Sequence, residues 1–168
     1  MRTRALPTRF LKAIISAGVL VILPTLAEAS WGEAEDLGKI SRVDLIIDVS
    51  GSGVTKEGLT NEWLRDEVTV VLRAKMPRLL VAQARGDASL AVSVHVGALE
   101  HGQGFYGVVQ VELFRWVIIQ ATGKESFVSV WRHGLAIKGP PMASRKAIRE
   151  GSEDKLTRFA ADWYRGNP

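Results

Sequence analysis

The chain has 168 residues, with 22 Lys and Arg against 18 Asp and Glu, and no cysteine. That length suits one domain, and the missing cysteine excludes disulfide staples, thiol chemistry and lipidation of an amino-terminal Cys. The basic excess sits in the first 29 residues; the remainder holds 18 basic against 17 acidic residues, a net +1 that excludes a strong nucleic-acid footprint.

The opening segment, MRTRALPTRFLK, carries Arg2, Arg4, Arg9 and Lys12 and no acid. The apolar run AIISAGVLVIL follows, then Pro24 and the small residues of Ala27-Glu28-Ala29. Basic, apolar, then Ala-x-Ala is the organisation of a secretory signal peptide. A membrane-spanning helix needs ~20 apolar residues, more than Lys12 and Pro24 leave between them. The sequence therefore predicts a signal peptide over 1–29, a flexible lead-in over 30–42 and a single domain over 43–168. The mature protein is expected to be soluble, without a lipid anchor, in the periplasm or outside the cell.

The domain opens with RVDLIIDV, where Val43, Leu45, Ile47 and Val49 alternate and Ile46 faces the other way, as in a strand. SGSGVTKEGLT is a glycine-rich loop. Thr60 is a candidate helix N-cap, and Leu64, Val68, Val71 and Leu72 then form an amphipathic stripe that Pro77 ends. RLLVAQARGDA is read as a linker. SLAVSVHVGAL alternates again as a half-buried strand, followed by a loop at EHGQG. FYGVVQVELFRWVIIQ is long for one strand, and Arg115 interrupts its apolar set; a bulge or a strand running beyond the sheet accounts for that. ATGKES is a turn and FVSVWRHGLAI a further strand. The closing segment places Ile148, Leu156, Phe159, Ala160 and Trp163 on one helical face, with Ser144 as a candidate cap, Gly166 as the end and Gly151 and Ser152 as a candidate kink.

The order β-α-β-β-β-α gives an α+β fold: a four-stranded, mostly antiparallel sheet with two helices on one face. The segments GLTNEWLRDEVTVVLR, SLAVSVHV, GFYGVVQVEL, SVWRHG and FAADWYRGNP resemble a set of uncharacterised bacterial exported proteins over about residues 43–168. The resemblance implies a periplasmic β-α-β-β-β-α domain, similar in layout to the lipopolysaccharide-assembly lipoprotein and to the amino-terminal domain of the Tol propeller protein. It carries no catalytic residue across to this chain. RAKMPRLL departs from the Ala-Gly-Ile with which the first helix of that set often ends.

Asp48, Ser50 and Ser52, at alternate positions after the first strand, look like the metal site of von Willebrand factor A domains. Such oxygen ligands suit Mg²⁺. That site also needs a Thr and an Asp from later loops, the Asp in a Thr-Asp-Gly after a strand. Thr122 and Asp87 are the nearest residues, and neither follows such a strand. The expectation is no metal and no cofactor, with a metal-dependent adhesion module as the alternative function. His95, His101 and His133 have no ligand spacing. A Gly-x-Ser-x-Gly elbow and a phosphate loop are both missing, so no enzyme is expected.

What remains is surface. Of Trp31, Trp63, Trp116, Trp131 and Trp163, the pair Trp116 and Trp131 falls on neighbouring antiparallel strands and could pair across them. Packing in the core or on a sheet face is the first reading of these tryptophans, and an exposed aromatic face that binds a partner or lipid is the alternative. Arg145, Lys146 and Arg149 oppose the dipole at the start of the last helix. These five residues form the candidate interaction surface of a non-enzymatic exported module, with an envelope protein or an anionic lipid as partner and no nucleic acid.

Overall fold

The structure, a computed structural model, describes residues 30–52, 58–82, 86–99 and 103–168. The expected signal peptide and His101 lie outside them. The strands are β1 (Ser30–Trp31), β2 (Arg42–Ser50), β3 (Leu80–Ala82), β4 (Ala88–Ala98), β5 (Phe105–Ile119) and β6 (Lys124–Gly139). The helices are α1 (Asn61–Lys75) and α2 (Ser144–Gly166). No helix among the described residues is long and apolar enough to cross a membrane.

The α+β class holds, but the sheet is mixed and six-stranded, in the order β1-β6-β5-β4-β2-β3. The meander β4-β5-β6 is antiparallel as its short connections require. By contrast, β2 runs parallel to β4, from Val43↔Ala88 to Ser50↔His95, because α1 carries the chain back over the sheet between them. The expected linker contributes β3, which extends β2 in parallel at Arg42↔Leu80. Ser30 and Trp31 add a short antiparallel strand beside β6.

Both helices cover one face. Thr60 caps α1 by accepting a hydrogen bond from the Trp63 amide at 3.0 Å, and the helix ends at Lys75, with Met76 as its C-cap before Pro77. Leu64, Val68 and Leu72 are buried against the sheet, as are Ile148, Leu156, Phe159, Ala160 and Trp163 of α2. They pack on the inward set Val43, Leu45, Leu90, Val92, Val94, Val109, Val111 and Leu113. Ser144 does not cap α2: it is the first helical residue, because the 3-10 turn Pro141–Ala143 winds directly into the helix. Gly151 lies inside that continuous helix, facing the sheet. A Cβ there would make ordinary van der Waals contacts with Val109, Leu135 and Ile137 at 3.4–3.6 Å, so the position packs on the sheet without requiring a glycine.

The lead-in over 30–42 is packed rather than flexible. Leu37 and Ile40 are fully buried. The Trp163 indole donates to the Ile40 carbonyl at 2.8 Å, and the Asn167 amide donates to the Leu37 carbonyl at 2.8 Å. Arg115 explains its own interruption of β5: its guanidinium donates to the carbonyls of Asp36 and Gly38, at 3.1 and 3.4 Å. Sequence periodicity misses this segment because two apolar residues in a polar stretch make no period.

Asp87 closes the junction between the lead-in and β4. Its Oδ2 accepts hydrogen bonds from the Ser41 amide, the Ser41 hydroxyl and the Arg42 amide, each at 2.9 Å. The bonds from Ser41 are the largest cause holding its pKa below the usual 3.8. A depressed carboxyl stabilises the fold above the unfolded-state pKa, and that contribution vanishes as pH falls through the folded-state value. Asp87→Ala should therefore melt below wild type near neutral pH. The gap should close under strong acid, and a gap independent of pH would contradict the assignment.

Candidate interaction surface

The face of the sheet opposite the helices is open. Its centre is polar: Arg132 donates to Gln110 Oε1 at 2.8 Å, and Gln110 Nε2 donates to Glu112 at 2.7 Å. Ile46, Tyr106 and Val108 are exposed around it.

From this face a two-stranded arm projects. β4 pairs with β5 only as far as Ser89↔Phe114, whereas β5 and β6 continue together through Arg115↔Val128 to Ile119↔Lys124. Five pairs at ~3.3 Å each make an arm roughly 17 Å long. At its root the register shifts between Leu113 and Phe114, leaving Val130 as the extra residue on β6. The long β5 thus contains a bulge and also overshoots its neighbour, and a bulge increases local twist.

Beyond the bulge, alternation places Phe114, Trp116 and Ile118 on the open face. Trp116 is 67% exposed, Ile118 66%, Ile119 44% and Phe127 40%. Phe127 stacks on Phe114 at 5.2 Å and lies 5.2 Å from Trp116, tilted by 44°. The arm leaves a cleft of about 430 Å³ over the start of β4, lined by Trp116 and Phe127 on one side and by Asp44, Gly86, Asp87, Ala88 and Ser89 on the other.

Trp131 does not belong to this surface. Its cross-strand neighbour is Leu113, that of Trp116 is Phe127, and Trp131 points into the core with no exposed area. There its indole donates to the buried Asp162 at 2.9 Å, and its ring meets Phe159 edge-on at 5.1 Å. Asp162 also pairs with Arg158 at 3.5 Å and with Arg165. Counting positions from Trp116 to Trp131 misses this placement because the bulge lies between them.

The basic residues at the start of α2 have partners within the chain. The Arg145 guanidinium lies over the Trp63 ring at 5.0 Å. Lys146 lies 3.8 Å from Glu150, and Arg149 contacts Glu67 at 2.5 Å. Each of the three cations thus has a contact within the chain, and the side chains of Lys146 and Arg149 remain exposed.

Around the other end of the sheet, Ser50 Oγ is 3.3 Å from Asp48 Oδ2 and 3.3 Å from His95 Nδ1. A hydrolytic relay needs the imidazole between acid and hydroxyl, and here the hydroxyl lies between them. Ser52 Oγ accepts from the Ala98 amide at 3.5 Å. Asp87 is bound at the opposite end of β2, and Thr122 sits in the turn at the tip of the arm. Neither reaches Asp48. Among the described residues no group of three or more His, Asp or Glu is placed to hold a metal. His133 lies inward beside Trp131, ring to ring at 4.7 Å. Saturating a site at ~100 times its Kd would add about 2.7 kcal/mol. Millimolar Mg²⁺ is expected to leave the melting temperatures of wild type and Asp48→Ala unchanged; a shift abolished by Asp48→Ala would restore the metal reading.

No family model and no curated protein matches the chain. Solved structures similar to it include the PelC dodecamer from Paraburkholderia phytofirmans, at 13% identity and a TM-score of 0.46, covering 82% of this chain and 96% of that one. An uncharacterised protein is 11% identical with a TM-score of 0.38, covering 75% and 94% of the two chains. A putative lipoprotein from Caulobacter crescentus CB15 is 16% identical with a TM-score of 0.33, covering 79% and 95%. Likeness at these values assigns no activity.

Proposed function

We propose that this chain is a non-enzymatic module of the bacterial envelope, exported to the periplasm or beyond, that works in assembly or transport by docking a partner protein on the β5–β6 arm. The observation that carries this reading is the arm's exposed apolar set on the open face, Trp116, Ile118 and Phe127, held on a two-stranded support. Apolar side chains clustered on a soluble surface mark a contact site, and aromatic residues supply most of the energy at such contacts. A protein partner fits better than an anionic lipid because the exposed set Trp116, Ile118 and Phe127 is apolar rather than basic.

The test is affinity capture from envelope extracts of the native host, with the tag on the carboxyl terminus. Wild type should retain a defined partner, Trp116→Ser/Ile118→Ser should lose it, and Val70→Ser, on the exposed face of α1, should keep it. Equal capture by all three proteins would overturn the reading.

A further inference from the structure

The cleft beneath the arm has a chemistry of its own. One wall is aromatic, formed by Trp116 and Phe127; the other carries two carboxylates, Asp44 and Asp87. Both acids are held from behind. Asp44 Oδ1 accepts from the Gly86 amide at 2.7 Å, and Asp87 Oδ2 accepts three hydrogen bonds from Ser41 and Arg42. Each therefore has one oxygen engaged, that of Asp44 by a backbone amide and that of Asp87 by two amides and the Ser41 hydroxyl, and one with no hydrogen-bond partner among the described residues. The floor is small, Ala88 and Ser89, so the space of about 430 Å³ stays open.

Aromatic faces and carboxylates share one preference. The ring face carries negative quadrupole density, and both surfaces attract a cation that keeps a flat or apolar side. The guanidinium of arginine fits best: it is planar, weakly hydrated, stacks on indole and offers paired N–H donors to a carboxylate. This chain already places arginine over tryptophan twice, Arg145 over Trp63 and Arg78 over Trp163 at 5.9 Å. Trp116, more exposed than either partner, carries no such cation among the described residues.

We propose that the cleft between Trp116–Phe127 and Asp44–Asp87 receives an arginine side chain of the partner protein, stacked on the indole and hydrogen-bonded to the carboxylates. This rests on the arm as the docking surface and names the group it recognises there. The exposed apolar residue Ile118, next along the strand, then covers the aliphatic surroundings of that arginine. A cation-fixing contact of this kind sets register and orientation for an interface whose remaining contacts are apolar.

The experiment is an NMR titration of the isolated mature protein, following the Trp116 indole N–H peak, identified by its loss in Trp116→Phe. The probes are N-acetyl-arginine methylamide, its neutral citrulline counterpart and methyl glucoside. The arginine probe should move the peak with a Kd on the order of 1–10 mM, as expected for so small a fragment. The citrulline probe should bind at least tenfold more weakly. Asp44→Asn keeps an acceptor for Gly86 while removing the charge, and should cut arginine affinity severalfold; added salt should act likewise. Equal shifts from arginine and citrulline, no shift from arginine, or a shift from the glucoside alone would each overturn the proposal. Because no partner is present, failure here leaves the capture experiment to decide the arm's role separately.

Discussion

Trp131→Ala is expected to cost about 3–5 kcal/mol of folding stability, the largest effect of any single substitution considered. Trp131 is fully buried at the meeting point of β6 and α2, against Phe159. Truncation removes the ring's contacts and leaves a cavity that helix and sheet cannot both close. It also removes a donor from Asp162, a carboxylate that is itself buried. Trp131→Phe separates the two effects. It keeps most of the apolar area and loses one hydrogen bond to a carboxylate that Arg158 and Arg165 still contact, so about 0.5–1.5 kcal/mol should remain as the cost of that bond. Urea unfolding of the three proteins measures both steps. A Trp131→Ala protein as stable as wild type would mean that Trp131 lies outside the core.

The second large effect belongs to α1. Leu72→Ala should cost about 2–5 kcal/mol, because Leu72 is 2% exposed on the stripe that faces the sheet. Val70 lies two residues away on the same helix and is 66% exposed. Val70→Ala should therefore change stability by about 0.5 kcal/mol or less, the usual range for a surface position. Comparable losses at the two positions would contradict the helix's orientation, since only Leu72 faces the sheet and replacing the β-branched Val70 by Ala if anything favours the helix.

Periodicity made these core positions legible. The stripes Leu64, Val68, Leu72 and Ile148, Leu156, Phe159, Trp163 repeat over several turns, and tertiary packing used them as they stand. The strands of the meander were readable for the same reason. The direction of β2 was not, because a strand's side chains alternate identically in parallel and antiparallel pairs; the crossover through α1 decides it. β3 is three residues long and too short to show a period. The anchoring of Leu37 and Ile40 depends on Trp163 and Asn167, more than 120 residues away. Of the candidate surface residues, Trp116 lies exposed on the arm and Trp131 lies in the core. The difference is one extra residue, Val130, which shifts the register between them. Phe127 and Ile118 carried a faint signal: they continue an apolar alternation past the point where β4 can cover them. Asp44 and Asp87 carried none, because their joint position follows only from the parallel pairing of β2 and β4.

The claim on which the account turns is that the arm, and not the helical side, meets the partner. Site-specific photocrosslinking in the native host tests it with one comparison. A benzoylphenylalanine placed at Ile118 and another at Val70 report on two positions of equal exposure, 66% each, on different elements. A discrete higher-mass adduct is expected from position 118 and none from position 70. An adduct from position 70 with none from position 118 would contradict it.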